Sequence, residues 1–359
     1  MSTRNGPLVS ILTPVYNGEE FLRECIESVL SQTYQNWEYT IANNASTDGT
    51  LDIAEEYCRR DSRIRVYNGR TFLPIAASHN RAFGLISKDS KYCKVVSADD
   101  WIYPECLEKM VALAEARSSV GIVGAYQLSG GEDTWSVRNA GLSYSQTVVS
   151  GQDICRAHLL GTLSVLGNPT SVLYRSDLVR KTDAFFPNLT QESDLSACFK
   201  HLQYADFGFV HQILSLERVH RQRASTISQE LNTFLSSHIS DCQEYGDWYL
   251  TERERDRRIS ELLDEYYTYL ATSALKLKGG TFWDYHTRRL SELGYRLDRL
   301  KLFFHIVAKM FDAILNPKLA IRVLFRFRAN LLRQLRKVNG KVGTVGLYGE
   351  YRPGTPQDE

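Results

Sequence analysis

The stretch Lys94-Val-Val-Ser-Ala-Asp99-Asp100-Trp101 ends a run of β-forming residues in two adjacent carboxylates. The run from Tyr92 to Val96 predicts a strand, and Pro104 predicts the start of a helix soon after it. Neighbouring carboxylates repel each other, so we expect a positive group beside them. A divalent cation carrying a polyphosphate would satisfy this need. The competing interpretation is that Asp99 caps the following turn and Asp100 is solvated.

Upstream of this stretch, strand patterns alternate with helical patterns. The apolar run Leu8–Thr13 predicts a strand buried on both faces, and Pro14 ends it. An amphipathic helix follows, with apolar residues at Phe21, Leu22, Cys25, Ile26, Val29 and Leu30. Further strands are predicted at 37–42, 64–67 and 92–97, with helices opening near 47–49 and spanning 75–86. The alternation predicts an α/β fold with a mainly parallel sheet and right-handed crossovers.

The second half of this region is less regular. A strand is predicted at 121–126, polar loops at 127–150, a strand at 168–175 with a short helix at 176–181, a helix opening near 188–195, and a closing strand at 216–225. After residue 228 the pattern becomes helical. We therefore predict a catalytic domain at 1–227 with halves 1–126 and 127–227, a helical region at 228–342, and a flexible tail at 343–359.

Composition limits the class of protein. Hydrophobic residues at 43% and charged residues at 24% are typical of a folded protein, and a net charge of +1 predicts no nucleic-acid partner. The seven cysteines include no CxxC pair, which argues against a disulfide framework or a zinc site. We see neither a secretory signal nor an apolar run of the roughly 20 residues that span a bilayer. A cytoplasmic protein, soluble or peripheral on the membrane, is expected.

Polar and turn-forming residues follow three of the predicted strands, at 14–17, 43–48 and 99–100. In open parallel sheets, ligands bind beyond the carboxyl ends of the strands, so these residues should face one crevice. The chain has neither a GxGxxG fingerprint after the first strand nor a GxxxxGK[ST] loop. Phosphates would therefore be held through a metal and carboxylates.

Five motifs in order resemble the N-terminal half of the family 2 inverting glycosyltransferases: Val9-Ser-Ile-Leu-Thr-Pro-Val-Tyr-Asn-Gly18, Ser28-Val-Leu-Ser-Gln-Thr-Tyr34, Asn44-Ala-Ser-Thr-Asp-Gly-Thr50, His79-Asn-Arg81 and Ser97-Ala-Asp-Asp100. The resemblance covers about residues 7 to 225. It implies the nucleotide-diphospho-sugar transferase (GT-A) fold, a mixed, mainly parallel sheet flanked by helices, here with a helical C-terminal extension.

The same resemblance implies the donor site. Its expected nucleotide-binding residues are Pro14, Val15, Tyr16, Asn17, Asn43, Asn44, Asp48, Arg81 and Asp99. Asp99 would face the ribose, Arg81 would lie near the sugar-nucleotide, and Asp100 would hold Mn²⁺ or Mg²⁺ on the diphosphate. His220, on the closing strand with Arg218, is a further candidate for a metal or phosphate contact, although a lone histidine is more often structural.

Two asparagines depart from the family pattern. Asn43 and Asn44 stand where the family usually has Asp-Asp or Asp-Asn and where the base edge is read. An amide can donate as well as accept, so the pair does not indicate which base is bound. Ordinary turn formation at the strand end is the competing interpretation.

Inverting transfer needs a base that takes the proton from the acceptor hydroxyl. The resemblance favours Glu192 for this role, and an alternative register puts Asp194 there. Acidic residues in the first turn of a helix are also favoured by the helix dipole without any chemistry. The choice between the two stays open.

The C-terminal region is strongly basic. Residues 299–341 contain eleven Lys or Arg and one acid, Asp312, among many large apolar residues. This pattern is typical of helices on an anionic membrane surface, and packing on protein is the alternative.

The whole pattern predicts a metal-dependent inverting glycosyltransferase that moves a sugar from a nucleotide diphosphate sugar to a saccharide or lipid-linked acceptor, in surface polysaccharide or glycolipid synthesis. The alternative is an inactive GT-A-like nucleotide-binding scaffold. Homo-oligomerisation is left open.

Overall fold

The computed structural model describes residues 6–131, 134–187, 193–220 and 231–315. Contacts divide the chain into two units, Met1–Asp264 and Glu265–Glu359, and the division falls inside a helix. The domain boundary predicted at 227 lies among residues 221–230, which are outside the described part, and it stays a prediction.

The strands of the described chain belong to the first unit. They are β1 (Val9–Val15), β2 (Trp37–Asn43), β3 (Ile64–Asn68), β4 (Tyr92–Val95), β5 (Trp101–Ile102), β6 (Val120–Gly130), β7 (Trp135–Arg138), β8 (Val148–Val149), β9 (Val172–Arg175) and β10 (Asp206–Arg218).

The helices of the described chain belong to both units. They are α1 (Leu22–Leu30), α2 (Thr50–Arg60), α3 (Ile75–Phe83), α4 (Cys106–Ala116), α5 (Gly151–Leu159), α6 (Ser176–Arg180), α7 (Ser193–Leu202), α8 (Thr233–Tyr249), α9 (Glu252–Leu275), α10 (Gly280–Glu292) and α11 (Arg299–Leu315). A short 3₁₀ turn, Pro169–Ser171, precedes β9.

The sheet is mixed and mainly parallel, as predicted. Its order is β3-β2-β1-β4-β9-β6-β10-β5, with β7 beside β6 and β8 beside β10. Strand β1 runs parallel to β2 and β4, and β2 runs parallel to β3. The antiparallel pairs involve β9, between β4 and β6, and the short strands β5, β7 and β8. The carboxyl ends of β1, β2 and β4 therefore meet at one edge.

Burial explains why these segments form these elements. Every residue of β1 except Pro14 is buried, which matches the continuous apolar run of its sequence. Helix α1 turns Leu22, Cys25, Ile26 and Val29 inward at helical spacing, and these side chains join the core cluster beneath the sheet. The burial of this face fixes the rotation of α1 about its own axis.

The closing strand begins earlier than its sequence suggested. Strand β10 starts at Asp206 because its first residues pair in parallel with Val120–Ala125 of β6, and it ends at Arg218 rather than in the 220s. His220 therefore lies just beyond the strand.

The second unit is helical in its described part. Helices α9 and α10 pack through a hydrogen bond of 2.6 Å between the Tyr266 hydroxyl and His286 Nδ1, beside the buried Leu290. Within the described residues, none of the helices is long and apolar enough to cross a membrane.

Candidate active site

A cavity of about 1100 Å³ opens at the edge where β1, β2 and β4 end. Nine of the residues expected from the sequence line it: Pro14, Val15, Tyr16, Asn17, Asn44, Asp48, Asp99, Asp194 and His220. Asn43, Arg81 and Asp100 are described but do not belong to this lining. Glu192 lies outside the described residues, so its role stays a prediction.

The loop after β1 is tied to the loop after β2. Asn17 has a left-handed backbone (φ 52°), and its N–H donates to Ser46 Oγ at 2.9 Å. Its side-chain Oδ1 accepts from the N–H of Thr47 at 2.8 Å. Asparagine tolerates this backbone conformation better than most residues, which explains its position at the turn. The two loops thus form one wall of the cavity.

Asp48 anchors the same wall. Burial raises its pKa, but hydrogen bonds from the Thr50 hydroxyl and from the N–H groups of Glu19 and Thr50 outweigh burial, so the pKa of Asp48 is lowered. Its carboxylate is therefore charged near neutral pH and is used to join the start of α2 to the chain before α1.

The two asparagines after β2 are occupied by protein groups. Asn43 is 2% exposed, donates to Asn68 Oδ1 at 2.9 Å and accepts from the Ser46 N–H at 3.2 Å. The Asn44 amide donates to the carbonyl of Leu73 at 2.8 Å and accepts from the Leu73 N–H at 3.0 Å. These contacts favour the loop-forming interpretation over contact with a base edge.

The two acids after β4 have different surroundings. Asp100 is 1% exposed, and its two carboxylate oxygens accept hydrogen bonds from Thr170 Oγ1 at 2.8 Å and from the Arg218 N–H at 3.0 Å. Asp99 is partly exposed, lines the cavity, and lies with Oδ2 3.0 Å from His220 Nε2. Asp99, and not Asp100, therefore presents its carboxylate to the cavity.

The positive groups predicted beside the acids are supplied by the protein. Arg218 donates from Nε to the Asp99 carbonyl at 3.2 Å and pairs with Glu24, while its guanidinium lies over the rings of Phe21 and Trp101. Together with His220, it closes the acidic turn from the β10 side. Arg218 thus reaches the carbonyl of Asp99 and His220 its carboxylate.

A fully buried lysine lies beneath the same turn. Lys94, on β4, donates from Nζ to the carbonyls of Thr170 and Val172, the latter at 3.0 Å. Burial lowers the pKa of Lys94 to about 8, and the nearby Asp100 carboxylate opposes part of that shift. In its protonated form Lys94 offsets part of the charge of the buried Asp100 carboxylate.

The 3₁₀ turn at Pro169–Ser171 connects these groups to β6 and β10. Asn168 caps the turn, accepting from the Ser171 N–H at 3.1 Å, and receives a second hydrogen bond from Gln127 at 3.1 Å. Its own amide donates to the Glu217 carboxylate at 3.2 Å. Glu217 lines the cavity, a residue that the sequence motifs did not single out. Its one signal was an acid at the end of a strand.

Asp194 is the acid of α7 that lines the cavity. It lies in the first turn of α7, and its Oδ1 accepts from the Leu195 N–H at 2.9 Å. Ser193 and Phe186 line the cavity on the same side. A carboxylate here can accept a proton from a hydroxyl group in the cavity.

The donor set of this cavity suits a hard divalent cation. Asp99 and His220 offer an oxygen and a nitrogen ligand side by side, the kind that Mn²⁺ accepts. Among the described residues, no group of three or more His, Cys, Asp or Glu could hold a metal alone. The metal would therefore need oxygens from its ligand, as Mg²⁺ and Mn²⁺ commonly do with phosphates.

The mixed, mainly parallel sheet with a cavity at the strand ends is the arrangement expected of a GT-A fold. Residues 10–178, a little under half of the chain, match the family model Glycosyl transferase family 2. A putative glycosyltransferase EpsE of Bacillus subtilis (strain 168) is 40% identical over 137 residues, covering 38% of this chain and 48% of that protein.

A putative teichuronic acid biosynthesis glycosyltransferase, TuaG, of the same organism is 33% identical over 128 residues, which are 36% of this chain and 50% of that protein. The match thus spans about half the length of these two relatives or slightly less.

Solved structures show the fold. Staphylococcus aureus TarS 1–349 in complex with UDP-GlcNAc is similar with a TM-score of 0.58 and 17% identity, over 79% of this chain and 80% of that one. The mannosyltransferase PcManGT of Pyrobaculum calidifontis, in complex with GDP-Man and Mn²⁺, has a TM-score of 0.51 and 14% identity, over 87% and 90% of the two chains. The predicted fold class is confirmed.

The Thr170 hydroxyl should stabilise the acidic turn. Thr170→Val keeps the shape of the buried side chain but removes a donor to Asp100 and an acceptor for the Ser97 N–H. We expect the free energy of unfolding to fall by about 3 kcal/mol, because a buried charge and a buried N–H lose their partner. Thr170→Ser, which keeps the hydroxyl, should lose about 1 kcal/mol or less. Equal losses in urea unfolding of the two variants would contradict this account.

Proposed function

We propose that this protein is a metal-dependent inverting glycosyltransferase that moves a sugar from a nucleoside diphosphate sugar to an acceptor hydroxyl. The observation that carries the proposal is the cavity itself, because it is lined both by Asp99, whose carboxylate can bind a metal, and by Asp194, whose carboxylate can act as a general base. The match to the family model and the ligands of TarS and PcManGT, which are nucleotide sugars, support the donor class.

The donor nucleotide binds against the walls formed by residues 14–17 and 44–48. Tyr16 is about half exposed at the cavity mouth and offers an aromatic face to a base. The diphosphate lies toward Asp99 and His220, where the Arg218 guanidinium adds positive charge behind the acidic turn.

The metal ligand in this proposal is Asp99 with His220, instead of the Asp100 expected from the sequence. Asp100 is buried and accepts hydrogen bonds from Thr170 and Arg218, so it acts as the support of the turn. A bound Mn²⁺ or Mg²⁺ would offset the charge that develops on the departing diphosphate. The chain's own part is to hold Asp99 toward the cavity.

Asp99→Asn should abolish metal-dependent nucleotide binding while leaving the fold intact. We expect the affinity gain that Mn²⁺ gives to UDP or GDP in calorimetry to fall at least about tenfold, because a neutral amide is a weaker metal ligand. Asp100→Asn should instead lower the free energy of unfolding by about 2 kcal/mol, since its amide nitrogen would face a donor. Loss of the Mn²⁺ effect in Asp100→Asn at unchanged stability would restore Asp100 as the ligand.

The acceptor is activated by a carboxylate at the start of α7. Its base takes the proton of the acceptor hydroxyl as that oxygen attacks the anomeric carbon opposite the departing diphosphate. Glu192 remains the favoured base by family resemblance, and Asp194 is the alternative, which lines the cavity. Asp194 lies in the first turn of α7, where the helix dipole favours negative charge.

Glu192→Gln and Asp194→Asn distinguish the two candidates. The true base variant should lose transfer by about a hundredfold or more, in keeping with general-base catalysis, yet bind UDP and Mn²⁺ like the wild type. The other variant should keep most of its activity. Donor turnover is measured as nucleoside diphosphate release across UDP-, GDP- and dTDP-sugars. Nucleotide binding by the wild type without any turnover would favour the inactive scaffold instead.

The acceptor is a saccharide or a lipid-linked saccharide in surface polysaccharide or glycolipid synthesis. Support comes from TuaG, whose name assigns it to teichuronic acid biosynthesis, and from the character of α11. That helix carries a continuous stripe of exposed apolar side chains at helical spacing: Leu300, Phe303, Phe304, Met310, Phe311, Ile314 and Leu315. With the basic excess of 299–341, the stripe supports peripheral attachment to an anionic membrane at the cytoplasmic face.

Replacing two rings of this stripe should weaken membrane binding. We expect Phe304→Gln with Phe311→Gln to reduce cosedimentation with vesicles of 30% phosphatidylglycerol in phosphatidylcholine at least about tenfold, since each ring buries apolar area in the interface. Tyr204→Gln, an equally exposed aromatic of the first unit, is the control and should bind like the wild type. Unchanged binding of the double variant would remove α11 as the attachment site.

A further inference from the structure

The loop between β3 and α3, residues 69–74, carries an exposed ring into the cavity and belongs to none of the sequence motifs. Phe72 is 57% exposed and lines the cavity with Leu73. Its ring lies 4.7 Å from the Tyr16 ring, centroid to centroid, at an interplanar angle of 64°. The face of one ring and the edge of the other thus form a corner, which we term the aromatic corner.

Tyr16 and Phe72 lie on separate loops, so their contact depends on hydrogen bonds that fix the two loops relative to each other. The loop of Phe72 is fastened by Asn44 through a pair of hydrogen bonds, from Nδ2 to the Leu73 carbonyl at 2.8 Å and from the Leu73 N–H to Oδ1 at 3.0 Å. The side chain thus pairs with the Leu73 backbone as another peptide group would. Asn44 is only 6% exposed, so both bonds are shielded from water.

The backbone of the same asparagine is hydrogen-bonded to the end of β1, next to Tyr16. The Asn44 N–H donates to the carbonyl of Val15 at 2.8 Å, one residue before Tyr16. At the other end of the loop, the Gly69 N–H donates to the Asn43 carbonyl at 2.8 Å. A Cβ at Gly69 would lie 2.9 Å from that carbonyl oxygen, so glycine permits the close approach. The end of β2 therefore joins both halves of the corner.

We propose that Asn44 is a positioning residue that holds Phe72 against Tyr16, and that the aromatic corner is the surface on which the base of the nucleotide packs. The inference rests on the proposed function, since it assigns a subsite to the donor. Stacking on aromatic rings accepts any base, because every base has a π-face. Base binding here comes from the two rings, and the amide of Asn44 serves the loop.

Asparagine is the side chain that this pair of hydrogen bonds with the Leu73 backbone requires. An aspartate at position 44 could still accept from the Leu73 N–H, but its second oxygen would face the Leu73 carbonyl oxygen, 2.8 Å from where Nδ2 now lies. Asn44→Asp is thus nearly isosteric and loosens one specific contact. Phe72→Leu removes the ring at an exposed position, and Phe72→Tyr keeps it.

A double-mutant cycle on the full chain tests the inference, with the dissociation constants of UDP and GDP measured by calorimetry in the presence of Mn²⁺. Phe72→Leu should weaken both nucleotides about tenfold, in the range of a lost aromatic–base contact, and Phe72→Tyr should bind within about twofold of the wild type. Asn44→Asp alone should weaken binding about tenfold. In the Phe72→Leu background it should add less than about twofold, because its effect passes through the ring.

The outcomes separate the two proposals. If the wild type binds neither nucleotide, the proposed function and this inference both fail. If the wild type binds and Phe72→Leu binds equally well, the aromatic corner is not the base subsite. If Asn44→Asp weakens binding equally in both backgrounds, Asn44 supports the fold in general and does not position Phe72. Should Asn44→Asp fail to fold, the comparison of Phe72→Leu with Phe72→Tyr still decides whether the ring binds the base.

Discussion

The arrangement of the cavity depends on one buried carboxylate, that of Asp100. A charge that is 1% exposed is stable only when it is paired and hydrogen-bonded. Thr170 and the Arg218 N–H meet that need, and they come from two different segments, the 3₁₀ turn and the end of β10. By binding both, Asp100 joins the 3₁₀ turn and the end of β10 to the end of β4. Asp99, next in the chain, is consequently turned to the cavity.

The hydrogen bonds and charges around Asp99 and Asp100 also bear on the role that a bound metal would have. The repulsion between neighbouring carboxylates first suggested an external cation, yet Lys94 and Arg218 supply positive groups from the protein itself, and His220 lies within hydrogen-bond distance of Asp99. The protein's own groups therefore stabilise the acidic turn. A metal would be needed for the diphosphate of the donor and not for holding the turn together. Folding and metal binding are separable for this reason.

The crevice at the ends of β1, β2 and β4 was predictable from the sequence, and the reason is physical. Parallel strands end at a common edge, so a strand–helix alternation with polar residues after each strand already implies a crevice. The prediction did not extend to which of two adjacent acids is buried. That outcome depends on Thr170 and Arg218, which lie 70 and 118 residues from Asp100 along the chain. Spacing within a motif carries no information about such distant partners.

The asparagines after β2 illustrate the same limit at shorter range. Their place in the motif suggested contact with a base, whereas the contacts of Asn44 are with the backbone of Leu73, in a loop that has no motif. Glu217 escaped notice because its orientation is set by Asn168, across the sheet. In each case the hydrogen-bond partner of the side chain, and not the residue type, determines its structural role. The motifs at the ends of β1, β2 and β4 are local in the sequence, whereas the rest of the cavity is assembled from α7, the 3₁₀ turn and β10. Its shape therefore depends on contacts between segments that no single stretch of sequence contains.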